Sequence, residues 1–468
     1  MCGLAGVFLP ASAPAEAAVL TALALHEQQH RGQDGVGITS YGRPKGRKKT
    51  TFYSKKSPGL VGDTFTKKRR LNKLRGNVAI GHVRYATSGK KIREIYSIQP
   101  MYGGRDHNFA LAHNGHMPDG KKLRKLLVEE KHARLQSTVD TEIFVEYIVR
   151  SKKSTIEEKL LEVCARIDGS YSLVVLAPNK LIGLRDPNGF RPLVLGRLRN
   201  GGYTLASETC AFPIMDAEFV RHIKPGEMIV IDESGLKSFQ LEKTASGITP
   251  CIFESVYFSR PDSILESGED GLTVRERLGA ILAKEVNLSA DCVIPVPDSA
   301  IHAANGFSEE SGIPVSLALV RNHYVGRMFI APNQKARNFG LKLKHSVVAS
   351  AIAGKEVIII DDSIVRGDTI QNIVELIRVH GPKKIHVAVT YPMYQYPCLY
   401  GIATPTKEEL QANRHDLDAE KIRKSIGVDS LHFLSYQGLF RAVTPDRQHP
   451  CTFCDACATG NYPIPKTR

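Results

Sequence analysis

Three places in this chain carry side chains whose type and spacing could do chemistry. The first is the opening MCGLAGVF, with a cysteine in second position. Once Met1 is removed, Cys2 has a free α-amine that titrates at about 7.7–8.0. Such an amine can take the thiol proton near neutrality, directly or through a water. The second is EVIIIDDSIVRGDTIQNIV, residues 356–374. An apolar strand ends in Asp361 and Asp362, the loop Ser363–Thr369 follows with Gly367 inside it, and a helix begins. Backbone N–H groups at such a loop and helix N-terminus form an anion site. The acid pair can hold sugar hydroxyls or a metal-bound diol, and ligands of open α/β sheets bind at the carboxyl ends of strands. The third is CTFCDACATG, with Cys451, Cys454 and Cys457 spaced C-x2-C-x2-C.

The elements that must position these groups fall into two rhythms. Up to about residue 245 the chain reads as β-rich with helical interruptions. TALALHEQQHRG predicts an amphipathic helix ending at Gly32, and VAIGHVRY, NFALAHNG, YSLVVLAP, KLIGLRDP and GEMIVIDESG predict strands. From about 250, DCVIPVP, PVSLALV, EVIIIDD and KIHVAVTYP are near-continuous apolar runs of the kind buried on both faces. Helical stretches such as TIQNIVELIRVHG separate them, which predicts a parallel α/β sheet. The break falls near TASGIT, 244–249.

Bulk properties narrow the function. A chain of 468 residues implies two or three domains, because one core rarely grows past ~250–300 residues. No apolar run reaches the ~18 residues that span a bilayer. No secretory signal pattern is present, so a cytoplasmic protein without membrane attachment is expected. The net charge of +15 is concentrated at 43–56 and 66–75. Nucleic-acid binding would want that charge joined to a recognition motif with stacking aromatics. None is found and Trp is absent, so these stretches read as solvated loops and hairpin surface. An anionic substrate would also benefit from the positive field. Nine cysteines, an odd number, do not suggest a disulfide framework in a cytosolic chain, so their clusters point to metal or catalytic roles. Cys164, Cys210 and Cys292 sit in apolar contexts and read as inert buried thiols.

The acid-pair loop is similar to the phosphoribosyl-diphosphate (PRPP) motif of type I phosphoribosyltransferases, and DDSIVRG in particular resembles the glutamine amidophosphoribosyltransferases. VIPVPDS (293–299) and RNHYVGRMFIAPNQ (321–334) agree with that family. The resemblance implies PRPP binding by Asp361, Asp362, Ser363, Ile364, Val365, Arg366, Gly367, Asp368 and Thr369, with Arg327 and Lys335 on a loop that closes over the ligand. It implies Mg2+ near Ser299, Asp361 and Asp362. The first half resembles the class II, N-terminal-nucleophile glutamine amidotransferases. MCGLAGVF, HRGQDGVG, GHVRYATSG, LAHNGHM, STVDTE, RDPNGFRPL and ASET occur in the expected order. That likeness makes Cys2 the nucleophile, Asn114 and Gly115 the oxyanion donors, and Arg31, Arg84 and Asp140 the groups that hold glutamine.

The combined resemblance implies an αββα glutaminase domain over 2–245, an α/β phosphoribosyltransferase domain over 250–440, and a Cys-rich tail over 441–468 packing on both. It implies that ammonia released from glutamine passes to PRPP, giving 5-phosphoribosylamine, the first committed step of purine synthesis. It also implies a homo-oligomer, dimer or tetramer. Some members carry a [4Fe–4S] cluster in contexts like PCIFE, YPCLYGI and CDACATGNYP, which makes Cys251, Cys398, Cys454 and Cys457 the ligands, with zinc the lesser alternative and Cys451 a spare. The chain departs from the family pattern at His116, His323, Met328 and Asp368. A second reading therefore keeps the glutaminase and makes the other half a PRPP or nucleotide sensor.

Overall fold

A computed structural model of the chain describes residues 1–43, 50–66, 68–85, 95–104, 108–242, 247–322, 345–404, 406–444 and 452–464. Arg327, Lys335, His323, Met328 and Cys451 lie outside the described residues.

Among the described residues, thirteen strands make up the first half. They are β1 (Gly3–Phe8), β2 (Gly35–Gly42), β3 (Thr51–Pro58), β4 (Val78–Arg84), β5 (Met101–Gly103), β6 (Phe109–His116), β7 (Ser170–Ala177), β8 (Lys180–Arg185), β9 (Val194–Leu198), β10 (Tyr203–Ala206), β11 (Ala217–His222), β12 (Glu227–Asp232) and β13 (Gly235–Gln240). They form a seven-stranded sheet, β11-β9-β10-β1-β4-β2-β3, and a six-stranded sheet, β13-β12-β8-β7-β6-β5.

β1 shows why the apolar runs are unbroken. Successive side chains point to opposite faces, and here both faces are covered. Leu4 and Phe8 join Ala110, Ala112, Val174 and Leu176 in the layer between the sheets. Ala5 and Val7 pack outward with Ala17, Ala18 and Leu25 of the helix Ala17–Glu27. Outside the second sheet, Leu111, Leu173 and Val175 pack on Ile143, Phe144, Leu160 and Val163 of two helices, Asp140–Arg150 and Ile156–Arg166. The order helix, sheet, sheet, helix is the expected αββα arrangement. The first helix departs from expectation. It stops at Glu27 and a 3₁₀ turn carries the chain through Gln29–Arg31, while the buried residues Ala17, Ala18, Thr21, Ala22, Ala24 and Leu25 keep to one face as expected.

The second half carries four parallel strands: β14 (Cys292–Pro295), then β17 (Glu356–Asp361), β18 (Lys384–Val389) and β19 (Ser430–Phe433), in that order across the sheet. Between the first two in sequence come β15 (Leu319–Arg321) and β16 (His345–Val347), which form a separate antiparallel ribbon. PVSLALV was expected as a buried sheet strand. It makes one isolated bridge, Val315 to Val293, before entering the ribbon. Leu317 is 65% exposed there, so this run lacks the covered second face that a central strand requires. The helix Asp368–Arg378 follows β17 as expected and buries Ile370, Ile373, Val374 and Ile377. The expected tail boundary at 440 falls inside the helix Tyr436–Val443. Cys164, Cys210 and Cys292 are buried as expected, and burial raises all three thiol pKa values.

Candidate active site

The chain brings Cys2, Asn114, Arg31 and Arg84 together from four separate segments. In β1, Gly3 lies opposite Val83, which sets Arg84, the last residue of β4, level with Cys2. From the other sheet, β6 ends beside Cys2, and the Cys2 N–H donates to Asn114 Oδ1 at 3.2 Å. Asn114 Nδ2 is buried and, among the described residues, has no hydrogen-bond partner. An orphaned amide of this kind is costly unless something accepts from it, and an oxyanion forming near Cys2 would do so. Gly115 follows Asn114 at the end of the same strand.

The HRG triplet has a steric basis. A Cβ on Gly32 would lie 2.5 Å from the Arg84 backbone, so the 3₁₀ turn can press against β4 there because residue 32 is glycine. Arg31 then points inward and is 1% exposed. Its Nε donates to the Cys2 carbonyl at 3.0 Å, its Nη2 to Glu254 Oε1 at 2.9 Å and its Nη1 to Glu254 Oε2 at 3.1 Å, and it also pairs with Glu208. Burial opposes its charge, but Glu254 and Glu208 outweigh burial and hold it cationic. Arg31 was expected to hold glutamine; in the structure all three of its side-chain nitrogens are hydrogen-bonded to protein groups, the Cys2 carbonyl, Glu254 and Glu208.

Asp140 opens its helix, and the N–H of Met117, three residues beyond Asn114, donates to its Oδ2 at 3.0 Å. His116 Nδ1 stands 2.8 Å from the same oxygen. Burial raises the Asp140 pKa, but the hydrogen bond and charge of His116 lower it further, so the net direction is down.

At the second site β17 delivers Asp361 and Asp362, 5% and 6% exposed. Asp361 is pushed well above the ordinary carboxylate range, first by burial and then by Asp362. Burial also raises Asp362, against hydrogen bonds from Ser299 and Ser363. Ser363 Oγ donates to Asp362 Oδ1 at 2.6 Å. Two buried carboxylates this close are costly without a cation or hydroxyl donors, and with Ser299 alongside they offer hard oxygen ligands suited to Mg2+. The loop then turns at Gly367, whose φ of +86° is left-handed. A Cβ there would also meet the Gln411 side chain at 2.6 Å. Asp368 is exposed at the first position of the helix, and its side chain makes no cap.

One cleft of about 480 Å³ spans both halves of the chain. Asp361 to Ile370, Ser299 and Arg321 line it on one side, and Met1 and Tyr85 on the other, with Phe253, Tyr257 and Phe258 in its wall.

The four cysteines of the third group also converge. Cys251 and Cys454 form a parallel bridge, and the Cys454 N–H donates to Pro250 at 2.8 Å. Cys398 Sγ accepts from the Tyr400 and Ile402 N–H groups at 3.3 and 3.4 Å, and Cys457 Sγ lies 2.9 Å from the Tyr391 hydroxyl. Burial raises Cys251 to about 11 against the pull of Arg191, and Cys454 and Cys457 rise well above the ordinary thiol range. Among the described residues, no set of three or more His, Cys, Asp or Glu side chains stands ready around a single ion. A four-iron cluster takes one thiolate per iron, so its ligands lie further apart than those of one ion.

A glutamine amidotransferase domain matches residues 82–213 and a phosphoribosyl transferase domain residues 265–403. The amidophosphoribosyltransferase of Rhizobium etli is 42% identical, over 99% of this chain and 91% of that protein. The Bacillus subtilis amidophosphoribosyltransferase is 40% identical, over 99% and 94%. The chain belongs to the amidophosphoribosyltransferase family. A solved glutamine PRPP amidotransferase from B. subtilis, complexed with ADP and GMP, superposes with a TM-score of 0.87 at 38% identity, over 99% of this chain and 97% of that one. Membership accounts for the expected fold class in both halves.

Sequence reasoning missed Glu208, Glu254 and Tyr257. Glu208 lies in ASET and Glu254 in PCIFE, both noted for other reasons. An acid inside an otherwise apolar stretch was the available signal.

Proposed function

We infer that this chain is a glutamine amidophosphoribosyltransferase acting at the first committed step of purine synthesis. The observation that carries the reading is the shared cleft, with Met1 and Tyr85 at one end and the Asp361–Ile370 loop at the other. The Cys2 thiolate attacks the side-chain carbonyl carbon of glutamine, and the charge on its oxygen is met by Asn114 Nδ2 and the Gly115 region. The C–N bond breaks, ammonia leaves with a proton, and water hydrolyses the thioester to glutamate. Arg84 suits the substrate α-carboxylate as a bidentate partner, and Asp140 suits the α-amine. Bulk water would protonate the ammonia, so the cleft serves as its path. At the second site the nitrogen attacks C1 of PRPP, and the bond to pyrophosphate breaks.

Asp361 and Asp362 hold the ribose hydroxyls, and residues 363–369 wrap the 5-phosphate at the helix N-terminus. Ser299, Asp361 and Asp362 would hold Mg2+, which when bound would supply positive charge against the diphosphate. Arg327 and Lys335 complete the PRPP contacts. Cys251, Cys398, Cys454 and Cys457 hold a structural [4Fe–4S] cluster, with zinc the alternative. The two N–H donors on Cys398 and the convergence of the four thiols support this, and iron and sulfide content after anaerobic purification separates the two. The domain limits 2–245, 250–440 and 441–468, a dimeric or tetrameric assembly, and a reducing cytoplasmic setting complete the proposal. The eight described free cysteines are consistent with that setting. No described helix is long and apolar enough to cross a membrane.

The test measures glutamate and pyrophosphate together. Equal yields are expected, and Cys2→Ala should lose glutamine-dependent pyrophosphate release while keeping release driven by added ammonia. Glutamate without pyrophosphate would leave the sensor reading standing.

A further inference from the structure

We propose that His116 is a positioning residue for the glutamine site: it fixes the Asp140 carboxylate and, when protonated, competes with the substrate ammonium for it. This rests on the reading of Asp140 as the α-amine partner.

Two donors converge on one oxygen. Met117 N–H reaches Asp140 Oδ2 at 3.0 Å and His116 Nδ1 reaches it at 2.8 Å. Oδ1 lies over Gly120 and, among the described residues, accepts no hydrogen bond. The carboxylate is therefore held by one oxygen and offers the other.

His116 itself is well placed to be held and to meet solvent. Its N–H donates to Ser170 Oγ at 3.0 Å, which pins the end of β6 against β7. Its side chain is 46% exposed, so protons reach it from solvent. The groups that face it are Asp140 from the helix, Ser170 from β7, which carries no charge, and His113 from its own strand. His113 is buried, and burial lowers its pKa to about 4, so it stays neutral above about pH 5. Asp140 is then the one charge His116 answers to among these neighbours.

In the neutral state a His116 Nδ1–H still donates to Oδ2, and Asp140 keeps its full charge for an ammonium. In the cationic state the imidazolium cancels that charge and repels the incoming amine. Orientation is retained in both states, while attraction for substrate is retained only in the neutral one. An asparagine at 116 could orient the carboxylate through its amide but could not gain charge.

The experiment measures KM and kcat for glutamine between pH 5.5 and pH 8 on the full chain, for wild type, His116→Asn and Asp140→Asn, with thermal melts as a folding control. The wild-type KM should rise roughly fivefold on acidification through the histidine range, the size of one screened charge pair, and the His116→Asn KM should stay flat. Any kcat change common to both proteins reports the Cys2 amine. If Asp140→Asn raises KM but wild type and His116→Asn respond equally to pH, the proposal for His116 is overturned and the glutamine site stands. If Asp140→Asn leaves KM unchanged, the reading of the site itself is overturned.

Discussion

Asp368 sets a carboxylate in the wall of the cleft that we assign to PRPP. An aspartate at this point of a helix often caps it, but here Gly367 occupies the cap position and Asp368 makes no capping bond. Its charge is thus free to act on a ligand. The helix N-terminus favours anions, and a carboxylate beside it repels a phosphate seeking the same N–H groups. Asp368→Asn should tighten PRPP binding by about 1 kcal/mol at low salt and by less at high salt, with no loss of stability. Calorimetry at two salt concentrations measures this, and unchanged or weaker binding would show that the side chain points away from the phosphate. At this scale the sequence was readable where chemistry is local. The Asp361–Asp362 pair stands out by residue type and neighbours, whereas Cys2 and Asn114 stand out through the family resemblance of the motifs around them. The ion pairs of Arg31 were not legible because its partners Glu208 and Glu254 lie far along the chain, and nothing local distinguishes a substrate-binding arginine from a buried anchor.

Among the elements, the short π-helical stretch Glu254–Phe258 joins the two sites. At its start Glu254 holds Arg31, which holds the Cys2 carbonyl, and also faces Arg191 at 3.4 Å. At its end Tyr257 and Phe258 line the cleft. Two buried arginines share this one carboxylate. Glu254→Gln keeps the shape and removes the charge, so it should destabilise the protein by about 3–5 kcal/mol, the usual cost of stranding a buried ion, and lower glutamine turnover through a displaced Cys2. Urea unfolding checks the first effect; an unchanged midpoint would mean that Glu208 suffices for Arg31 and the Tyr400 carbonyl, which Arg191 Nε reaches at 2.7 Å, suffices for Arg191. Apolar runs anticipated β4, β6, β7, β8, β12, β14, β17 and β18, since burial on both faces writes an unbroken apolar run. They failed at PVSLALV because apolar composition alone does not tell whether a second layer will cover the segment.

For the whole molecule, the interface between halves is ionic as well as apolar. Arg185, fully buried at the end of β8, lies 2.5 Å from Glu266 in the second half, and His222 lies 3.3 Å from the same oxygen. Burial raises the Glu266 pKa, but Arg185 and then His222 bring it down to about 2 from an ordinary 4.5. A carboxyl with a lowered folded-state pKa stabilises above its unfolded value and loses that contribution as pH falls through the folded value. The loss therefore runs from about pH 4.5 toward pH 2 and totals on the order of 3 kcal/mol. Glu266→Gln should be less stable than wild type at pH 6, and the gap should close across that window in denaturant titrations. A constant gap would mean that Arg185 draws its compensation from the carbonyls of Gly189, Arg191 and Ile223 instead.

The position of β1 also has a consequence for how the protein is made. The strand that carries the nucleophile lies between β4 and β10, and its partner residues in β10 are Tyr203–Ala206. A ribosome adding about 5–20 residues per second needs roughly 10–40 s to supply them. Through that interval the start of β1 lacks one of its two neighbours and stays open to processing enzymes. After closure Met1 is 3% exposed. Any trimming ahead of Cys2 is therefore expected on the nascent chain. Folded protein still carrying Met1 should resist a methionine aminopeptidase that clips the same chain in denaturant, and equal clipping of both would show that the strand end reopens after folding.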